Sequence, residues 1–114
     1  MADIVATPNF VRKAKQVRLK ERERDSLIVL LAEKPDAGDL IPGTGGARKV
    51  RLAREGSGKS GGYRVVTFFG GGAMPVYLLT IFAKSAQENL TEADKKGIRS
   101  TCKALLAVHQ KLTP

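Results

Sequence analysis

This chain has little of what covalent or metal-dependent chemistry needs. It holds one cysteine, one histidine and no tryptophan in 114 residues. Cys102 alone makes no internal disulfide, which fits a reducing compartment. The KALL that follows it belongs to a helical pattern, so the thiol reads as packing rather than as a nucleophile. No cluster of Cys and His provides a zinc site, and no motif implies a cofactor. His109 stands near the end of the last helical pattern, far in sequence from the basic strands. It reads as a helix-surface or boundary residue, which disfavours a ribonuclease working through two histidines. No paired carboxylates sit in a cleft-like context. No apolar run approaches the ~18 residues of a membrane span. The opening MADIVATPNF lacks a basic stretch followed by a long apolar one. A cytoplasmic location and no membrane partner are expected.

Acidic residues are the other shortage. Eleven Asp and Glu face twenty Lys and Arg, for a net charge of +9. A field of that sign on a small surface attracts polyanions, with nucleic acid first among them. The hydrophobic share of 42% supports one modest core, so residues 1–114 read as a single domain.

Residues 3–7, DIVAT, make a short strand, and Pro8 ends it or opens the next element. From Asn9 the spacing turns helical, with Phe10, Val11, Ala14 and Val17 on one stripe and Leu27, Ile28, Leu30 and Leu31 on a second. Between the stripes lies VRLKERERD, almost all charge. Two helices are expected, about 9–19 and 22–34, with a tight junction; one longer, bent helix is the alternative. The acids Glu21, Glu23 and Asp25 alternate with the bases, so this stretch reads as a solvated or partner-contact face. Without large aromatics opposite the charge it is not a membrane-binding helix. Pro35 ends the second helix.

A Gly- and Pro-rich loop, DAGDLIPGTGG (36–46), leads into ARKVRLAR (47–54). There Lys49 and Arg51 alternate with Val50 and Leu52, the signature of a half-buried strand. The loop EGSGKSGG (55–62) separates it from YRVVTFF (63–69), which is rich in β-branched and aromatic residues and suits a central strand. After Gly70, Gly71 and Gly72 comes VYLLTIFA (76–83), short, apolar and bounded by Gly and Pro, hence a third strand. Short connections predict that these three strands pair as an antiparallel meander, with one face on helices and the other partly open and concave. Thr91 caps a last helix, about 92–111. Ile98, Cys102, Leu105, Leu106 and Val108 form its apolar stripe, and Gly97 weakens it by roughly 1 kcal/mol. The order is strand, helix, helix, three strands, helix: an α+β fold.

The glycine loops are weak evidence of phosphate binding. AREGSGKS (53–60) approaches a P-loop, but Ala53 stands where the first Gly belongs and a strand follows where a helix is required. An NTPase is rejected.

The stretch GDLIPGTGGARKVRLAREGSGKSGGYRVV (38–66), continued by VYLLTIFAKSAQENLT (76–91), resembles HigB-type toxins of the RelE/ParE superfamily, found in type II toxin–antitoxin pairs. The resemblance implies a compact RelE-like, microbial RNase-type fold. It implies an endoribonuclease that cuts mRNA in the ribosomal A site and stops translation. It also implies a cognate antitoxin, often a helix-turn-helix DNA-binding protein, with which the toxin can repress its own operon. The ribosome, with its mRNA and rRNA, is the other partner.

Metal-independent RNA cleavage needs a base for the 2′-OH, an acid for the departing 5′-oxygen, and cations for the crowded phosphorane. By match to family strand positions, Lys49 or Arg51 would hold the phosphate or assist proton transfer. Arg64 would stabilise transition-state charge through its planar fork. Lys84, at the end of the third strand, completes the catalytic candidates. Arg48, Arg54 and Lys59 are expected to contact rRNA or mRNA. The best-known RelE pattern carries an Arg and then a Tyr shortly after the third strand. FAKSAQENLT keeps Lys84 but has neither, which leaves the acid and the stacking group unassigned. Tyr63, Tyr77, Phe68, Phe69 and Phe82 read mostly as core. Two other functions stay open: a non-catalytic RNA- or DNA-binding module, and an inactive toxin relative acting as a transcriptional co-regulator.

Overall fold

The computed structural model describes residues 1–56, 61–87 and 89–112. Strand β1 (Ile4–Ala6) gives way at Thr7 to helix α1 (Pro8–Gln16). Thr7 does two jobs there. Its hydroxyl accepts from the Phe10 N–H at 3.3 Å, capping the helix, and donates to the Leu78 carbonyl at 2.8 Å. Pro8 sits in the first turn, where its missing N–H costs nothing. The helix stops at Gln16, short of the expected residue 19. The Leu19 N–H reaches back to the Ala14 carbonyl at 2.9 Å and the Arg18 N–H to Lys15 at 3.1 Å. This is a Schellman ending, and Arg18 takes its left-handed position at φ 57°. Helix α2 (Glu21–Glu33) follows at once. Two helices with a tight junction therefore stand, rather than one bent helix.

The expected three-strand meander is the centre of a larger sheet. Strands β3 (Arg48–Leu52), β4 (Tyr63–Phe68) and β5 (Val76–Ala83) pair antiparallel in sequence order. Two short strands extend them. β1 lies parallel to β5, with Ile4 opposite Val76, and β2 (Asp39–Leu40) pairs antiparallel with β3. The sheet order is β1-β5-β4-β3-β2. β2 escaped sequence reading because two residues inside a Gly/Pro loop carry no periodicity. A bulge falls where Thr80 opposes Val66 and Leu78 opposes Thr67, leaving Leu79 as the extra residue.

The bulge splits β5 between two cores. Leu78 and Ile81 join Phe10, Leu27, Leu31, Val50, Leu52, Tyr63 and Val65 beneath α1 and α2. Leu79 and Phe82 join Val66, Phe68, Ile98 and Cys102 on the opposite face, beneath helix α3 (Glu92–Leu112). That face was expected to lie partly open; α3 crosses it instead. The cap of α3 is reciprocal: the Asp94 N–H donates to the Thr91 hydroxyl and the Thr91 N–H to the Asp94 carboxylate, both at 3.0 Å. The apolar stripes are narrower than read from sequence, with Val11, Leu30 and Val108 left exposed. No helix among the described residues is long and apolar enough to cross a membrane.

Candidate nucleic-acid interface

Register decides which cations meet. Arg51 stands directly opposite Arg64, which stands opposite Phe82; Lys49 stands opposite Val66, opposite Thr80. Cross-strand partners share a face, and residues two apart along a strand share it too. Lys49, Arg51 and Arg64 therefore lie on the face that carries α3, beyond the apolar patch of Val66 and Phe82. The alternation of Lys49 and Arg51 against buried Val50 and Leu52 is as the sequence predicted. The burial of the cations grades inward. Arg51 is exposed, Lys49 half-buried and Arg64 only 8% exposed.

Arg64 is the unusual member. Its guanidinium donates to the Tyr63 carbonyl at 3.2 Å. Among the described residues it makes no ion pair; the pairs found there join Lys20 and Arg22 to Glu55 and Lys95 to Glu92. A buried cation without a carboxylate is costly, and facing a second arginine across the strand adds repulsion. An anion seated between the two forks would relieve both.

The remaining candidates divide. Lys84 follows β5 and its N–H donates to the Gly62 carbonyl at 3.0 Å, which sets its backbone beside Tyr63 and Arg64 at one end of the sheet. Arg48 lies on the other face, in phase with Val50 and Leu52, and donates to the Gly38 carbonyl at 3.0 Å. It is not part of the Arg51–Arg64 group. Arg54 stacks over the Tyr63 ring, 5.7 Å from its centroid, at the root of the β3–β4 loop. Lys59 lies outside the described residues.

The loop PGTGG (42–46) has a structural use. Thr44 is fully buried, and its hydroxyl donates to the Ile41 carbonyl at 2.7 Å and accepts from the Ala47 N–H at 3.1 Å. The turn satisfies itself and delivers the chain into β3. Tyr63 and Phe68 are core, as read from sequence; Phe82 is buried but ends the Arg51–Arg64 row. Cys102 is buried, and desolvation pushes its thiol up to about 11, which fits packing rather than nucleophilic use. Tyr77 and His109 meet at 2.7 Å between hydroxyl and Nε2, so the histidine docks α3 on β5.

A separate cleft of about 620 Å³ runs between α1, the free end of β5 and α3, lined among others by Lys13, Phe82, Leu90, Asp94 and Ile98. None of the described basic site candidates lines it. Two further residues were missed by sequence reading. Arg99 on α3 lies close to the PGTGG turn, its Cγ 3.8 Å from where a Cβ on Gly45 would be. Glu23, read as part of a solvated charge run, is 6% exposed and bonded into the β3–β4 loop. No signal in VRLKERERD separates it from its exposed neighbours.

The fold has a known counterpart. A free-state structure of the E. coli toxin RelE, carrying two arginine-to-alanine substitutions, aligns with a TM-score of 0.52 over 77% of this chain and 90% of that one, at 21% identity. That likeness concerns the fold. The family model described as "RelE toxin of RelE / RelB toxin-antitoxin system" matches residues 3–113. Because that match spans nearly the whole sequence, the chain belongs to the RelE toxin family.

Proposed function

We propose that this toxin is a ribosome-dependent mRNA endonuclease whose cutting face is the Lys49–Arg51–Arg64 group. The observation that carries the reading is the buried Arg64, without a carboxylate partner among the described residues and opposed by Arg51. In the reaction, the 2′-oxygen attacks phosphorus and the P–O5′ bond breaks. A 2′,3′-cyclic phosphate and a 5′-hydroxyl remain. Arg64 and Arg51 brace the equatorial oxygens as charge gathers there. The ammonium of Lys49 or Lys84 gives its proton to the departing 5′-oxygen, and the 2′-OH proton passes to water, so that the lysine is reprotonated from solvent after the cut. The ribosome presents the mRNA and aligns the 2′-oxygen, which is why few conventional acids and bases are needed. Arg54 contacts mRNA or rRNA from the root of the β3–β4 loop and Arg48 from the other face, with Lys59 as a further RNA contact. The toxin works in the cytoplasm, and its antitoxin is a helix-turn-helix protein.

The missing Arg and Tyr after Lys84 favour a second reading, an inactive relative that binds its antitoxin and co-regulates transcription. Induced expression in a bacterium, with mRNA 5′ ends mapped genome-wide, separates the two. The wild type is expected to arrest growth and cut within translated codons. Arg64→Ala, still folded, is expected to lose about 100-fold or more of the cleavage rate, as when a preorganised oxyanion donor is removed. A harmless wild type that leaves mRNA intact would support the inactive relative.

A further inference from the structure

Both ends of the β3–β4 loop meet at a single side chain. The Oε2 of Glu23 accepts from the Glu55 N–H at 2.8 Å, where the loop leaves β3. Its Oε1 accepts from the Lys20 N–H at 2.9 Å, closing the cap of α2, and from the Tyr63 hydroxyl at 3.5 Å, where the loop enters β4. Glu23 is 6% exposed and Tyr63 1%. Helix capping uses one oxygen; the bond to Glu55, 32 residues away, does nothing for the helix. Glu55 is also held from outside by Lys20 and Arg22, each at 3.5 Å, but these pairs are exposed and screened. Gly62 narrows the loop's root further, since a Cβ there would lie 2.7 Å from the Leu52 carbonyl oxygen at φ 108°.

The connection continues to the cations. Tyr63, whose hydroxyl leans on Glu23, offers its carbonyl to the Arg64 guanidinium and its ring to Arg54. We infer that Glu23 is a positioning residue, a latch between α2 and the β3–β4 loop that sets Arg54 and, through Tyr63, Arg64 for RNA. This rests on the endonuclease reading. Glu23 itself touches no substrate.

The charge on Glu23 is what holds the latch. Burial raises its carboxyl pKa, but the Lys20 and Glu55 N–H groups, the Lys20 charge and the Tyr63 hydroxyl outweigh burial and hold it below the usual value of 4.5. A carboxyl held low in the folded state contributes stability above its unfolded pKa and loses it as pH falls through the folded one. The charged and titratable residues that act on it are Lys20 at the cap of α2, Glu55 from the loop through its N–H, and Tyr63 from β4; Arg22 pairs with Glu55 and Arg54 stacks on Tyr63.

The test compares wild type with Glu23→Gln, which keeps the shape and removes the charge. Hydrogen exchange of the Glu55 amide is read against pH, beside kcat and KM for mRNA cleavage on translating ribosomes. The amide is expected to exchange at least about tenfold faster in Glu23→Gln, while the wild type's protection alone fades below pH 4.5. Cleavage is expected to lose about tenfold or more in kcat with KM little changed, the mark of misplaced rather than missing groups. If Glu23→Gln fails to fold, Tyr63→Phe removes only the long contact and is expected to lower kcat by a smaller factor with KM kept. An unchanged Glu55 amide overturns the latch. A loosened amide with normal kcat overturns its positioning role. If the wild type cuts no mRNA, the endonuclease reading fails and the positioning role with it, whereas the amide data report the latch separately.

Discussion

Arg51 and Arg64 face each other across two paired strands, and among the described residues neither makes an ion pair. Like charges directly opposite cost a sheet part of its stability. Arg51→Thr, which keeps a strand-forming side chain, is therefore expected to stabilise the free protein by about 0.2–1 kcal/mol. Urea denaturation at low salt checks this, and the gain should shrink as salt screens the pair. An unchanged or lower midpoint would mean that the two guanidinium groups already escape each other. The strand alternation around these residues was plain in the sequence, because Lys49 and Arg51 interleave with Val50 and Leu52. Arg64 was harder, since its apolar neighbours suggest a central strand but say nothing of which cation lies opposite. Glu23 was not legible at all. What distinguishes it is a bond to Glu55, a contact that exists only after α2 and the loop come together.

At the scale of elements, the end of α1 shows a cost the sequence disguised. A Schellman ending asks for glycine at its left-handed position, and the chain places Arg18 there at φ 57°. No glycine marked the boundary, so the helix was expected to continue to residue 19. Left-handed backbone costs a residue with a Cβ about 1–2 kcal/mol. Arg18→Gly is thus expected to stabilise by about 1 kcal/mol, less glycine's own entropy loss, and to raise the midpoint of thermal unfolding. A lowered midpoint would show that the Arg18 side chain contributes more than the strain removes. β5, by contrast, was read with its observed limits, because apolar, β-branched residues bounded by Gly and Pro leave few alternatives. The Leu79 bulge was invisible, since it depends on how β4 lies against β5 and not on either strand alone.

For the whole molecule, the charge of +9 makes a prediction about salt. Binding of single-stranded RNA should weaken linearly in log–log form, with about 0.7 of slope for each phosphate neutralised. Arg64→Ala is expected to flatten that slope by about 0.7, measured by fluorescence anisotropy with a short RNA oligonucleotide across a salt series. An unchanged slope would mean that Arg64 meets no phosphate. The sheet order carries a different consequence, one of timing. β1 emerges first during synthesis, yet its partner is β5, with Ile4 opposite Val76 and Thr7 bonded to Leu78. The row that holds Arg64 is likewise closed only by Phe82. Such distant pairings make folding wait for most of the chain. A nascent toxin of this topology therefore stays unfinished until its last strand has left the ribosome that is making it.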